Sequence, residues 1–547
     1  MKDELIVGKA LAEVLPKTDK YWFQVPHLLK LDLILLVPLI SSSVAGYDGS
    51  LMNGLQALPQ WRNYFSNPAG ALLGLVNAAQ SIGSVLALPI VGTFSDRYGR
   101  KTVLLAGILG VMVATVIQAT ATTLAQFVVS RLVVGAAGMF AAQPSPLLLA
   151  ELSYPTHRGK YTSAYWTLYY LGAILASWTT FGTQGYENSW SWRMPTILQA
   201  GYPAVQLAFF YFLPESPRWL VSKGRNEEAL HILATYHAGG DTQSPLVIKE
   251  MTEIVDTIRL EQESKATGWS TLVATPGNRK RLFIAVALGS MAQWNGIGVV
   301  SYYLTLVLNT VGITDPFTQT LINGLLQIFN FIVALGAAFC VDRLGRRTLF
   351  NMSGVIMLIS YIVWTACSAV NNETGSQPAG IVVIVCLFVF YFGLWCHVEA
   401  ERARLTENRL RLQLHAAVDV LPNGDFSIFD PIQRLNVRAA VNLLLIGDRS
   451  LRQSNRAGKY WLALLHCILL SSGRSISWLL QPRADMTKVV FLAITYFVFP
   501  ETRGHSLEEI AEVFDGPRAV DVEASTQKLG KAFGEEHSEE RIDRLPL

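Results

Sequence analysis

GTFSDRYGRK occupies residues 92–101 and AFCVDRLGRR residues 338–347, and each stretch directly follows an apolar run. Two copies of D-R-x-G-R-[RK] at matching places in two halves mark the chain as an internal duplication. Read physically, each copy is a tight basic turn between helices. Gly99 or Gly345 permits the bend and Asp96 or Asp342 can cap the next helix. The arginines Arg97, Arg100, Arg343 and Arg346 can bind helix C-termini or carboxylates in one conformation. Membrane topology alone accounts for basic loops, but chance rarely supplies the same ordered pattern twice.

The composition around this repeat is that of a membrane protein. Of 547 residues, 51% are hydrophobic and only 16% charged, which excludes a disordered, collagenous or disulfide-knotted chain. A net charge of +3, from 44 basic and 41 acidic residues, leaves no excess to neutralise a phosphate backbone, so no nucleic-acid partner is expected. Cys340, Cys367, Cys386, Cys396 and Cys467 lie in or beside apolar runs without CxxC spacing and read as small buried hydrophobes, with no disulfide or metal site. The nine histidines form no HxxxH or HxxHH cluster, and neither a GxSxG nor a phosphate-cradling glycine loop is present, so no enzyme and no cofactor is expected.

Spanning helices need roughly 20 mostly apolar residues, because lipid offers no partner for an unsatisfied backbone amide. Charge-free runs cover 70–95, 102–130, 132–150, 161–186, 194–214, 282–314, 316–341, 348–372 and 374–396, and residues 33–61 carry a single charge, Asp48. Met1–Lys30 is polar and mixed in charge, so no cleaved signal peptide is expected. Loops after alternate spans carry the cations: Arg97, Arg100 and Lys101; Arg158 and Lys160; Arg218, Lys223 and Arg225; Arg343, Arg346 and Arg347. These loops are expected in the cytoplasm, together with both termini.

The organisation follows: a cytoplasmic N-terminus at 1–30, a six-helix bundle at 31–214, and a cytoplasmic helical insert at 215–280 with helices at Asn226–His237 and Leu246–Glu263. A second bundle covers 281–500 and a solvated cytoplasmic tail 501–547.

Several further motifs occur in order: GYDGSLMNG at 46–54, RLVVGAAGMF at 131–140, PTHRGK at 155–160, PESPRWLVSKGR at 214–225, QWNGIGVVSYY at 293–303 and PETRGHSLEEI at 500–510. With the duplicated turns, they resemble the sugar porter family of the major facilitator superfamily, and more narrowly its fungal lactose-permease-like members and hexose transporters. The resemblance implies an all-α polytopic membrane protein of the major facilitator fold, with two six-helix bundles around a central site that opens alternately to the two sides. It also implies a monomer in the plasma membrane whose partners are a sugar, protons and the lipid bilayer.

Site residues follow from matching positions. An ionised carboxylate in lipid costs several kcal/mol unless paired, so Asp48 near the outer end of the first span needs a partner, and Arg131, which opens the fourth, is the obvious one. Proton-coupled members of the family carry an Asp–Arg pair at these positions. Recognition of sugar hydroxyls calls for amides and hydroxyls, and the apolar face of a pyranose for aromatic rings. Gln293 and Asn330 fall on sugar-binding positions of the family, with Asn295, Gln327, Tyr302 and Tyr303 in support. Trp166 replaces a family glutamine, which points to the lactose-permease-like branch and makes a disaccharide as plausible as a hexose. Asp96, Arg97, Arg100, Glu151, Arg158, Glu215, Arg218, Asp342, Arg343 and Arg346 read, by the same resemblance, as a cytoplasmic ion-pair network that latches the bundles to the insert.

From His397 to Thr487 the pattern fails. The block is charge-rich, its cations are nearly all arginine, and the apolar runs 440–446 and 461–471 are too short to span. Family sequence resumes at Lys488, so the tenth and eleventh spans are disrupted. Three readings compete: a lineage-specific insertion, a diverged eleventh helix near Lys459–Ser472, or a translated intron or frame error. The last is favoured because the expected sequence is replaced rather than interrupted. The expected function is sugar:proton symport, against a proton-independent facilitator, a non-functional mis-spliced product, and a sugar sensor that the short tail after Gly516 disfavours.

Overall fold

The computed structural model describes residues 14–16, 22–264, 279, 297–344, 346–374 and 377–407. Among them every regular element is helical. The first half holds α1 (Pro26–Ala57), the short α2 (Pro59–Tyr64), α3 (Gly70–Tyr98), α4 (Arg100–Ala119), α5 (Leu124–Ala142), α6 (Pro144–Leu152), α7 (Arg158–Thr183), α8 (Trp190–Leu198) and α9 (Gly201–Phe209). The insert contributes α10 (Pro217–Ser222), α11 (Asn226–His237) and α12 (Pro245–Ser264). The second half supplies α13 (Ile297–Thr310), α14 (Pro316–Leu344), α15 (Arg346–Thr374) and α16 (Gln377–Glu407). Within these, 6 stretches are long and apolar enough to cross a membrane.

The first bundle packs by backbone contact at glycines. A Cβ on Gly46 of α1 would overlap the Tyr169 carbonyl of α7, and one on Gly172 of α7 would overlap the Ser43 carbonyl of α1. Gly83 of α3 and Gly135 of α5 make the same reciprocal crossing, against the carbonyls of Leu132 and Gln80. Lipid supplies no hydrophobic drive between helices, so close backbone approach with its dispersion gain holds such pairs together. Polar stitches add to it: Ser50 Oγ meets Ser177 Oγ at 2.7 Å, and Gln206 Nε2 donates to the Val37 carbonyl at 2.7 Å.

Three expectations need correction. The run 194–214 is not one helix: it breaks between α8 and α9, where Gln199 N–H turns back to the Thr196 carbonyl at 3.3 Å. Pro203, which has no N–H to give the carbonyl of Gln199, sits just beyond the break. Arg131 does not open the fourth span but lies about two turns inside α5, whose start is capped by Thr123 accepting from Gln126 N–H at 3.2 Å. Asp48 lies more than two turns before the C-terminus of α1 and is only 2% exposed, deeper than a site near the outer end.

The insert docks on the first bundle through one apolar cluster. Leu246 of α12 joins Leu31 and Leu35 of α1 and Leu148, Leu149 and Leu152 of α6, with Ile232 and Tyr236 of α11 packed against them. The arginine-rich block from residue 408 onward lies outside the described residues; α16 continues unbroken through its first residues to Glu407.

Candidate functional site

The Gly83–Gly135 crossing brings α3 against α5, and one turn away the side chains of Gln80 and Arg131 meet. Arg131 Nη2 donates to Gln80 Oε1 at 2.8 Å, and its Nη1 donates to Asp48 Oδ1 in a close ion pair. Gln199 Nε2, at the break between α8 and α9, donates to the same Asp48 oxygen at 3.1 Å. α1, α3, α5 and the α8–α9 joint thus meet around one ion pair, and Arg131 and Asp48 are each 2% exposed. Loss of either charge would strand the other in a water-poor interior, typically about 3–5 kcal/mol for a buried pair. Protonation of Asp48 would remove that attraction.

At the ends of the bundles remote from the 92–101 turn, the halves meet. Asn323 Nδ2 of α14 donates to Ser177 Oγ of α7 at 3.1 Å, Thr320 Oγ1 meets Gln184 Oε1 at 3.0 Å, and the rings of Phe181 and Phe317 stand 5.2 Å apart. The Trp178 indole lies over Gly324, close enough that a Cβ there would sit 3.3 Å from it. Thr305 Oγ1 of α13 reaches the Asn53 carbonyl at 3.4 Å. Alpha-helical dihedrals fail at Tyr303 (φ −134°, ψ 29°), so α13 is kinked there, and its hydroxyl stands 3.7 Å from the place of a Cβ on Gly74.

Asn330 is buried at 2% exposure, and its Oδ1 has no hydrogen-bond partner among the described residues. Gln327, one turn away on α14, is 9% exposed. Trp166 on α7 is 39% exposed, with its ring 5.5 Å from that of Tyr165. Gln293 and Asn295 lie outside the described residues, as does the side chain of Tyr302.

At the other end the 92–101 turn is built around Glu215. Its carboxylate accepts from the backbone N–H of Arg100 at 3.0 Å, Lys101 at 3.1 Å and Ser216 at 2.9 Å, so it caps the N-terminus of α4. Gly99 has φ +95° and ψ 159°, backbone that other residues avoid, and a Cβ on it would overlap the Glu215 carboxylate. Burial pushes the Glu215 carboxyl above the usual range, against the pull of these N–H donors and of Arg100. Arg100 reaches Glu151 at 3.7 Å and Asp96 at 3.4 Å. Ser216 hydrogen-bonds Glu151 and caps α10 through Trp219 N–H at 3.1 Å, with Pro217 at the first helical position.

Asp96, Arg100, Glu151 and Glu215 are therefore brought together. Arg97 is exposed and turns its guanidinium over the Tyr98 ring at 5.5 Å. Arg158 stands exposed at the start of α7, and Arg218 is half-buried in α10. The side chains of Asp342, Arg343 and Arg346 lie outside the described residues. Sequence reasoning missed Gln80 and Gln199, whose only signal is an amide within an apolar run, and Ser216, whose S-P-R-W context is a helix start.

Comparison with known proteins agrees with this architecture. The sugar (and other) transporter family matches residues 34–397. The MFS-type transporter criB of Aspergillus cristatus is 30% identical over 360 residues, 65% of this chain and 77% of that protein. The high-affinity glucose transporter of Kluyveromyces lactis is 24% identical over 523 residues, 90% of this chain and 87% of that protein. Among solved structures, the partially occluded inward-open xylose transporter XylE of E. coli superposes with a TM-score of 0.64 at 20% identity, over 87% of this chain and 99% of that one. The proton:xylose symporter XylE bound to 6-bromo-6-deoxy-D-glucose gives 0.62 at 22% identity, over 88% and 99%. With the family matched over most of its length, on a duplicated all-helical fold, this chain belongs to the sugar transporter family of the major facilitator superfamily.

Proposed function

We propose that the chain is a sugar:proton symporter of the plasma membrane, with both termini in the cytoplasm, moving a hexose or a disaccharide such as lactose by alternating access. The observation that carries the proton reading is the buried Asp48, held by Arg131 and Gln199 more than two turns inside a spanning helix. A carboxylate so placed is a functional group by default, and a facilitator without proton coupling has no use for it. The xylose symporter and the glucose transporter above support a monosaccharide-sized site, and Trp166 supports a larger one. Asn330, Gln327, Gln293, Asn295, Tyr302 and Tyr303 are the residues proposed for sugar contact. With the 92–101 turn in the cytoplasm, the seal through Ser177, Trp178, Phe181 and Gln184 closes the outer side.

Asp96, Arg100, Glu151 and Glu215, with Arg97, Arg158, Arg218, Asp342, Arg343 and Arg346, form the proposed cytoplasmic network. Uptake of labelled sugar into transport-deficient yeast, with and without a protonophore, tests the whole reading: uphill, protonophore-sensitive accumulation supports it, and accumulation only to equilibrium overturns the symport. A second reading has its own observation. The family match ends at residue 397, where the arginine-rich block begins, which supports a translated intron and a product that does not transport. Sequencing the transcript across residues 395–487 separates the two.

A further inference from the structure

Beneath the insert, His237 of α11 is 3% exposed and Glu250 of α12 is 6% exposed. His237 Nδ1 stands 2.7 Å from Glu250 Oε2, and its Nε2 stands 3.1 Å from the carbonyl of Leu152, the last residue of α6. That carbonyl belongs to the last turn of a helix, so it lacks an intrahelical donor and carries part of the negative end of the helix dipole. A carbonyl only accepts, so Nε2 must bear hydrogen here. A hydrogen is also required between Nδ1 and the carboxylate, since two lone pairs cannot face each other at that distance. The docked arrangement therefore holds one proton more than a neutral imidazole beside a carboxylate, whether that proton rests on the ring or on Glu250.

With the insert lifted off α6, the requirement disappears. Neutral His237 can donate from Nδ1 to Glu250 and turn an unprotonated Nε2 to water. Both partners of the ion pair travel with the insert, whereas the Leu152 carbonyl stays with the bundle. We propose that docking of the cytoplasmic insert on the first bundle takes up one proton at the His237–Glu250 pair, so that the insert is a pH-sensitive latch, held at low cytoplasmic pH and loosened as pH rises.

Other titratable groups around the pair set its surroundings. His27 of α1 lies in electrostatic reach of His237, and its Nδ1 is 3.2 Å from the place of a Cβ on Gly239. Lys30 lies over the Tyr236 ring at 5.8 Å. Tyr154 sets its ring edge-on to both His237 at 5.6 Å and His157 at 5.9 Å, and His157 stands 3.6 Å from Asp32. Glu151, beside Leu152, is taken up by Ser216 and Arg100. Glu250 is thus the carboxylate on the ring of His237.

Linkage fixes the sign. A state that binds one proton more is favoured at low pH, and its equilibrium falls by up to about tenfold per pH unit as that proton is lost. Should the symport reading hold, cytoplasmic acid delivered by transport would tighten the latch, but the test does not rest on transport. Hydrogen exchange of the full chain in nanodiscs, corrected for the intrinsic pH effect, reads the amides of α11 between pH 6 and 8. Protection should fall by up to about tenfold per unit in the wild type. It should stay level in Glu250→Gln, where the amide donates to Nδ1 and no extra proton is needed. His237→Gln, which can bridge the same two acceptors, should also stay level, and serves if the first variant fails to fold. Level protection in the wild type, or the wild-type slope retained in a folded variant, overturns the proposal.

Discussion

Gln199 and Arg131 hold the same oxygen of Asp48, the amide at 3.1 Å from a break between two helices and the guanidinium from the middle of a third. The carboxylate is thereby tied to α5 and to the α8–α9 joint at once. Asp48→Asn keeps the shape and the amide contact but cannot change charge. Uphill, protonophore-sensitive uptake should be lost, while exchange of labelled for unlabelled sugar across liposomes continues. Unchanged pH-dependent accumulation in this variant would sink the proton role of Asp48.

Trp166 presents two-fifths of its surface from α7. If it stacks on a sugar ring, Trp166→Gln should weaken binding by on the order of 1 kcal/mol or more. It should also alter the preference between a monosaccharide and a disaccharide. Competition binding with both sugars decides, and an unchanged ratio and affinity would make Trp166 a packing residue.

Glu215 satisfies three backbone donors at the start of α4 and fills the space over Gly99. Glu215→Ala should leave those donors unmet at a loss of roughly 1–3 kcal/mol. Gly99→Ala should lose a comparable amount, roughly 1–3 kcal/mol, from backbone strain alone, before its collision with Glu215. Thermal unfolding of the purified protein in detergent measures both, and equal stability of Gly99→Ala and wild type would refute the fit described.

Gly135 and Gly138 lie three residues apart on α5 with opposite surroundings: a Cβ on the first would meet a backbone carbonyl, and one on the second would have nothing among the described residues within 4 Å. Gly135→Ala should destabilise by about 3 kcal/mol or more, since backbone cannot swing aside as a side chain can. Gly138→Ala should be neutral or stabilise by up to about 1 kcal/mol, as alanine does in a helix interior. The same melting experiment compares them, and similar losses would contradict the crossing.

Gly324 is the seat of the Trp178 indole in the seal between the halves. Gly324→Leu should hold that end apart: sugar still binds, and net transport stops. Binding by isothermal calorimetry beside a liposome flux assay reads the difference, and normal flux would show that this contact need not form.

How much of this was legible in the sequence depends on the kind of signal. The duplicated turn, together with the ordered motifs that resemble the sugar porter family, was enough for the fold, and the helical pattern located α11 at Asn226–His237 to the residue. Asp48 was found because a lone charge in an apolar run has no ordinary explanation. Gln80 and Gln199 were not, because an amide in such a run is compatible with lipid, with interhelical bonding and with a ligand alike. The depth of Arg131 was misread because a charge-free run stops at a charge, whereas α5 runs through it once Asp48 neutralises it from across the bundle. The break at Gln199 goes with Pro203, a local signal that a count of charges within an apolar window does not record.

The crossing of α1 and α7 at Gly46 and Gly172 leaves no side chains to act as a cushion, so the two rods are riveted backbone to backbone. Asp48 rides on one of them, two residues past the rivet, and Ser177, Trp178 and Phe181 ride on the other, just beyond it. Any tilt of α1 that follows a change at the carboxylate must carry the far tip of α7 with it. Under the proposed symport, a proton at Asp48 and the parting of the seam at Ser177, Trp178 and Phe181 would be motions of one stiff unit, pinned at two missing methyl groups.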